Sequence, residues 1–265
     1  MAAPSEAGAT CRTLREAQRA HTPGLSGGPR LVDPGRISVP QNGRLADWAM
    51  ATDSFAAFQL AADAFVSLLG HDQLQTRWND PSALTGYSVG ELVAHVASAT
   101  ARAESFLVTE PPVGVEPVSL GGYYGTLKIT TAEDADSFVH AYLKSIAEAE
   151  AARPPLEVVA QLETTISSIS TLLATAEPTA ILDLRPLPQT AMAAEDYMAT
   201  RVVELLVHGM DLAASFDMSM TLPPAAVDVV VEILVATARS QHGDLAVLTA
   251  LTRSERLGSL VFPVL

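Results

Sequence analysis

The segment Met198-Ala-Thr-Arg-Val-Val-Glu-Leu-Leu-Val-His-Gly-Met-Asp-Leu-Ala-Ala213 decides how this chain is read. Val202, Val203, Leu205, Leu206, Val207, Met210 and Leu212 leave almost no polar face for solvent, so the segment predicts a helix packed on most sides. Within it Glu204, His208 and Asp211 fall at i, i+4 and i+7 and project in nearly the same direction. Ionisable groups on so apolar a helix need partners, because a lone buried charge is costly. A shared cation would satisfy them from one rigid element; a hydrogen bond between Glu and His along the helix face is the plainer alternative.

Upstream, Ser88-Val-Gly-Glu-Leu-Val-Ala-His-Val-Ala-Ser-Ala-Thr-Ala-Arg-Ala-Glu-Ser-Phe-Leu107 opens with a capping box, Ser88 at the N-cap and Glu91 three residues on. Apolar residues then recur at helical period, and His95 falls at the edge of the buried stripe, close to Leu92, Ala99 and Phe106. By itself it is either a core histidine satisfied by a neighbour or a third ligand beside Glu204 and His208.

Together the two segments carry a resemblance. Trp78-Asn-Asp-Pro-Ser-Ala-Leu-Thr-Gly-Tyr-Ser-Val-Gly-Glu-Leu-Val-Ala-His95, followed about a hundred residues later by Asp196-Tyr-Met-Ala-Thr-Arg-Val-Val-Glu-Leu-Leu-Val-His-Gly-Met-Asp-Leu212, resembles the mycothiol-dependent maleylpyruvate isomerase family of the DinB-like metal-binding superfamily. The likeness runs over roughly residues 50 to 217. It implies a mainly α protein, a DinB-like four-helix bundle with additional helices, holding a divalent metal, usually zinc. Carried over position by position, the implied ligands are His95, Glu204 and His208. The resemblance further implies mycothiol as thiol cosubstrate and a small-molecule electrophile as partner, in a chain acting as monomer or homodimer.

Composition agrees with packed helices: 48% of the 265 residues are hydrophobic and only 5% aromatic. A formal charge of -14 argues against nonspecific binding to nucleic acid or an anionic membrane, both of which select basic surfaces. Glu232 interrupts the best apolar run, Val227 to Ala238, well short of the ~18 residues a membrane span needs. A single cysteine, Cys11, excludes a disulfide framework and a cysteine-based zinc site, and fits a reducing, cytoplasmic setting.

Three regions follow from the pattern. Residues 1–45 combine Thr22-Pro-Gly, Ser26-Gly-Gly-Pro and Asp33-Pro-Gly with no periodicity, and read as a flexible tail, with Met50 as an alternative start. Residues 50–217 form the bundle. Phe55, Phe58, Ala62, Phe65 and Leu69 mark its first helix, Ser88 to about Val108 the second, about Pro155 to Ala176 the third and about Ala193 to Phe216 the fourth. Between them, 111–130 reads as a long loop in which Tyr123 and Tyr124 are candidates for a pocket rim, and Ala132 to Ala152 as an extra helix with His140 on a solvated face. Ile181 to Leu187 is expected to be extended. Residues 218–265 make a short C-terminal region with helices near Leu222–Arg239 and Asp244–Thr252 and an apolar end limited by Pro263. The resemblance also implies an active-site arginine from a C-terminal domain, for which Arg239, Arg253 and Arg256 are the candidates.

A His/Glu/His set leaves one metal position for a substrate atom, as catalytic rather than structural zinc sites do. A thiol entering there ionises at neutral pH. The resemblance then implies an isomerase, in which the added thiolate saturates a cis double bond, allows rotation and leaves, or an S-transferase, in which the adduct persists. A zinc-dependent hydrolase and a metal-binding bundle without catalysis are the other readings; the former lacks the His-Glu-x-x-His arrangement that supplies a general base. Arg201, one turn before Glu204, is the candidate catalytic residue, either orienting Glu204 or recognising a substrate carboxylate, with an internal salt bridge as the structural alternative; Tyr197 extends the same face. Asp211 is expected to hydrogen-bond a ligand histidine or cap a neighbouring helix.

Overall fold

A computed structural model describes residues 53–127, 138–185, 187 and 191–253, and all structural statements concern these. The expected tail, the loop end at 128–130, the start of the extra helix and the apolar C-terminus lie outside the described residues, as does the side chain of His140.

Helix α1 (Ser54–Leu69) begins where the Asp53 carboxylate accepts from the backbone N–H groups of Phe55 and Ala56, at 2.9 and 3.1 Å. Its stripe of Phe58, Ala61, Ala62, Phe65 and Leu69 is buried. Helix α2 (Val89–Leu107) carries the expected capping box: the Glu91 N–H donates to Ser88 Oγ at 3.1 Å, and the Ser88 N–H to Glu91 Oε2 at 2.7 Å. Helix α5 (Pro155–Leu173) starts on a proline whose missing N–H costs nothing in the first turn. Helix α6 (Ala194–Ser215) is the decisive segment, buried through Tyr197–Val203, Leu205, Leu206 and Gly209.

These four helices close a ring: α1 packs on α6, α6 on α2, α2 on α5 and α5 on α1. The mainly α, four-helix arrangement expected from the sequence is the one adopted. Helix α4 (Phe138–Ala151) lies along α2, where Lys144 Nζ meets Glu91 Oε2 at 2.8 Å and ties the added helix to the capping box. The short strands β1 (Ile181–Asp183) and β2 (Ala191–Ala193) pair antiparallel, Leu182 opposite Met192, and lead directly into α6. The extended reading of 181–187 therefore holds for its first three residues, while its partner strand is too short to carry a readable period.

The stretch 111–130 is corrected in part. Leu120–Leu127 forms helix α3, with the Tyr123 N–H donating to the Ser119 carbonyl at 3.0 Å. The glycines permit close packing instead of a loop: a Cβ on Gly121 would sit 3.1 Å from the Ala236 carbonyl oxygen. That contact belongs to helix α7 (Pro224–His242), which also packs on α1 and α6 and sends Ala226, Val229, Val230 and Ile233 into the bundle's own core. Helix α8 (Asp244–Thr252) follows after Gly243, at φ 80°. Among the described residues no helix is long and apolar enough to cross a membrane.

One contact fixes the start of α2. The Trp78 indole is buried, donates from Nε1 to the Ala151 carbonyl at 2.9 Å and covers Gly90, where any Cβ would lie 2.5 Å from the ring. The Gly90 N–H in turn donates to the Trp78 carbonyl at 2.7 Å. Glycine is required there by a close approach, which sets the rotation of α2 and hence the direction of His95 one and a half turns on.

Candidate metal centre

His95 comes from α2 and both Glu204 and His208 from α6, at the contact between these helices. His95 Nε2 lies 3.2 Å from Glu204 Oε2, and His208 Nε2 lies 3.4 Å from the same oxygen. The imidazoles stand edge to face, 88° apart with centroids at 5.0 Å. One donor atom from each residue fits within a span of 4.8 Å. The two closer separations match the edge of about 3.4 Å expected between neighbouring ligands on a tetrahedron of roughly 2.1 Å bonds. The sequence places the three on two separate helices, and the fold brings them together.

Protonation tests whether the set suits a cation. His208 faces an anion on each side: Nδ1 lies 3.2 Å from Asp211 Oδ2, while Nε2 faces Glu204. A neutral imidazole has only one N–H, so a proton on Nδ1 toward Asp211 leaves the Nε2 lone pair facing a carboxylate oxygen. Either a second proton or a metal ion must lie between them. Burial disfavours a charged His208, yet hydrogen bonds to Asp211 and Glu204 outweigh it and push the pKa up to about 9. Burial likewise opposes the Glu204 carboxylate, but hydrogen bonds from His208 and His95 and the charge of Arg201 hold it well below the usual range. An anionic carboxylate between two imidazoles, one of them oriented by an aspartate, is a donor set that fits zinc. Asp211 thus hydrogen-bonds His208, one of the three candidate ligands. The side chains of His95, Glu204 and His208 keep 13, 20 and 17% exposure.

Arg201 lies beneath this site with 5% of its side chain exposed. Its Nη2 is 3.7 Å from Glu204 Oε1 and donates to the Tyr123 hydroxyl at 3.3 Å and to Thr200 Oγ1 at 3.1 Å. Nη1 donates to the Ala99 carbonyl at 3.4 Å, and the guanidinium rests over the Tyr197 ring at 4.9 Å. Burial acts against the cation, but neighbouring Tyr197, Tyr123 and Glu204 more than compensate. Arg239 and Arg253 are engaged elsewhere, with the Asp244 carboxylate at 2.7 Å and the Thr252 carbonyl at 2.7 Å; Arg256 lies outside the described residues.

The reading of 111–130 as a loop missed the polar aromatic wall behind Arg201. Tyr123 and Tyr124 are buried on α3, their rings perpendicular with centroids 5.1 Å apart, instead of rimming a pocket from a loop. The signal is present in Leu120, Tyr123/Tyr124 and Leu127 at i, i+3/i+4 and i+7; the adjacent glycines mask it. Tyr87, just ahead of α2, stands edge-on to His95 at 6.0 Å and receives Lys144 Nζ over its ring at 4.7 Å.

The mycothiol maleylpyruvate isomerase N-terminal domain family matches residues 55–213, more than half the chain. No curated protein matches the sequence. Among solved structures, a mycothiol-dependent maleylpyruvate isomerase is 14% identical with a TM-score of 0.44, covering 69% of this chain. A histidine-to-alanine mutant of such an isomerase is 13% identical with a TM-score of 0.45, again over 69% of this chain. The chain spans 66% and 67% of the length of those two proteins.

Proposed function

This chain belongs to the mycothiol maleylpyruvate isomerase N-terminal domain family, and from that premise we propose that it is a mycothiol-dependent metalloenzyme of isomerase or S-transferase type acting on a small electrophile. The observation that carries the reading is His208 held between Asp211 and Glu204, with His95 on the same carboxylate oxygen. A divalent ion held by His95, Glu204 and His208, zinc by the character of the donors, would supply a thiol partner kept ionised at neutral pH.

The protein's own groups do the rest. Asp211 accepts a hydrogen bond from Nδ1–H of His208 and so presents Nε2 as a lone pair in a fixed direction when a metal is bound. Arg201 acts as a positioning residue: its charge adds to the hydrogen bonds from His208 and His95 that keep Glu204 ionised, and it holds one carboxylate oxygen, leaving the other between the two imidazoles. The buried apolar faces of α2 and α6 hold these groups on rigid elements.

His208→Ala is expected to remove both metal retention, read by elemental analysis, and mycothiol-dependent turnover of maleylpyruvate. Titration calorimetry of zinc-loaded protein with mycothiol should give binding heat that this variant lacks. A wild-type protein that holds zinc but shows neither heat nor turnover would reduce the reading to a metal-binding bundle.

A further inference from the structure

His208 is oriented by Asp211, whose carboxylate fixes the Nδ1 side of the ring. His95 differs: among the described residues nothing hydrogen-bonds its Nδ1, and only Nε2 is engaged, by Glu204. The torsion that turns an imidazole has broad minima, so a contact at Nε2 alone does not hold the ring plane. Packing must do it. The His95 ring stands between His208, at 5.0 Å and 88°, and Tyr87, at 6.0 Å and 72°. Both angles belong to the edge-to-face arrangement that aromatic pairs prefer. Tyr87 is buried and itself firmly held. Its carbonyl accepts from the Ser82 N–H and from the Ser82 hydroxyl, each at 2.8 Å. Next along the chain, the Ser88 N–H donates to Glu91 Oε2 at 2.7 Å, and the same oxygen meets Lys144 Nζ at 2.8 Å. That ammonium, fixed further by Glu148 Oε1 at 3.2 Å, lies over the Tyr87 ring, 4.7 Å from its centre.

We propose that Tyr87 is the positioning residue that sets the imidazole plane of His95, and that Lys144 locks Tyr87 in place by lying over its ring while gripping Glu91. The two carboxylates already tie α4 to the capping box, so the ring contact is an added restraint, and it bears on His95. Helix α4, outside the ring of four helices, thereby acts on the ligand set through α2. The aromatic ring carries this role and the hydroxyl does not, because it is the ring that touches His95 on one side and the ammonium on the other. The consequence for zinc rests on the metal reading above. A His95 already turned toward Glu204 meets the ion without reorganising, whereas one free to rotate binds it more weakly.

Imidazole proton–nitrogen NMR spectra of chelator-treated protein read the ring plane without any metal, with His95 assigned by the loss of its signals in His95→Ala. The wild type should give a sharp His95 set with nuclear Overhauser contacts to the Tyr87 ring protons. Tyr87→Leu should broaden or displace that set while His208, anchored by Asp211, stays in place; Tyr87→Phe should preserve it. Lys144→Met, which keeps the stem and loses the cation, should weaken the ring contact, and Lys144→Arg should restore it. In zinc competition with a chromophoric chelator, Tyr87→Leu should bind about tenfold more weakly and Lys144→Met about threefold, with Tyr87→Phe and Lys144→Arg within about twofold of the wild type. No ring contact in the wild type, an unchanged His95 set in Tyr87→Leu, or an equal loss in Tyr87→Phe overturns the role of Tyr87. A Lys144→Met spectrum identical to the wild type overturns that of Lys144. Should Tyr87→Leu not fold, the wild-type ring contact and Lys144→Met decide. If the wild type binds no zinc, the metal reading fails, while the imidazole spectra still decide Tyr87.

Discussion

Helix α6 encloses Arg201, Glu204 and His208 within its packed faces, whereas α7, just as rich in valine and alanine, turns Asp228 and Glu232 to solvent along with Val231 and Val235. Both helices contribute to one core. The difference shows what a buried charge requires. On α6 Arg201, Glu204 and His208 each meet a partner from α2, from α3 or one turn away, while Asp228 and Glu232 of α7 stand exposed, where water hydrates them. An apolar helix can therefore bury a cluster of charges only where several neighbours supply its polar groups together.

The largest test of this contrast removes the buried cation. Arg201→Ala should cost about 3–5 kcal/mol in urea unfolding, because Glu204 and the Ala99 carbonyl lose their donor in a dry setting. A cost below 1 kcal/mol would place α6 in the same class as α7. Next in size is a pH effect on chelator-treated protein. The folded pKa of His208, about 9, lies above its unfolded value near 6.5, so its contribution to stability is full below about pH 6.5 and declines as pH rises through about 9. Metal binding should strengthen over that same interval, since the proton competes with the ion. Urea titrations and zinc affinities at pH 6 and 9.5 check both signs.

Asp211→Asn sharpens the contrast more finely. With the carboxylate gone, zinc affinity should fall 10- to 100-fold while the fold persists, which competition with a chromophoric chelator would read. The smallest effect belongs to α7: Glu232→Ala should change stability by less than about 0.5 kcal/mol, since its side chain is exposed. A larger cost would show that Glu232 contributes more than a solvated charge does.

Much of this molecule is legible in its sequence, for a physical reason. Long helices with one buried face state their period plainly, and the capping box at Ser88 and Glu91 and the prolines at Pro155 and Pro224 mark starts to within about two residues. Glu204 and His208 are readable because an ionisable pair on an apolar helix is conspicuous. His95 is not readable alone; it gains meaning only when the fold turns α2 toward α6. Helix α3 is hidden because glycine signals a turn locally, while its use here is to let two backbones approach. Strand β2 escapes because three residues, Ala-Met-Ala, carry no alternation to count. The wall of Tyr123, Tyr124 and Tyr197 depends on contacts 70 or more residues apart, which local patterns do not encode.

The indole of Trp78, seated on Gly90 and hydrogen-bonded to Ala151, has a spectroscopic consequence. The chain holds two tryptophans, so Trp48→Phe leaves a single emitter at the root of the helix that bears His95. Its emission will be blue-shifted while the ring is covered and will move to the red when the segment ahead of α2 lifts. Light from one buried ring then times the assembly of the site, separately from the rest of the bundle.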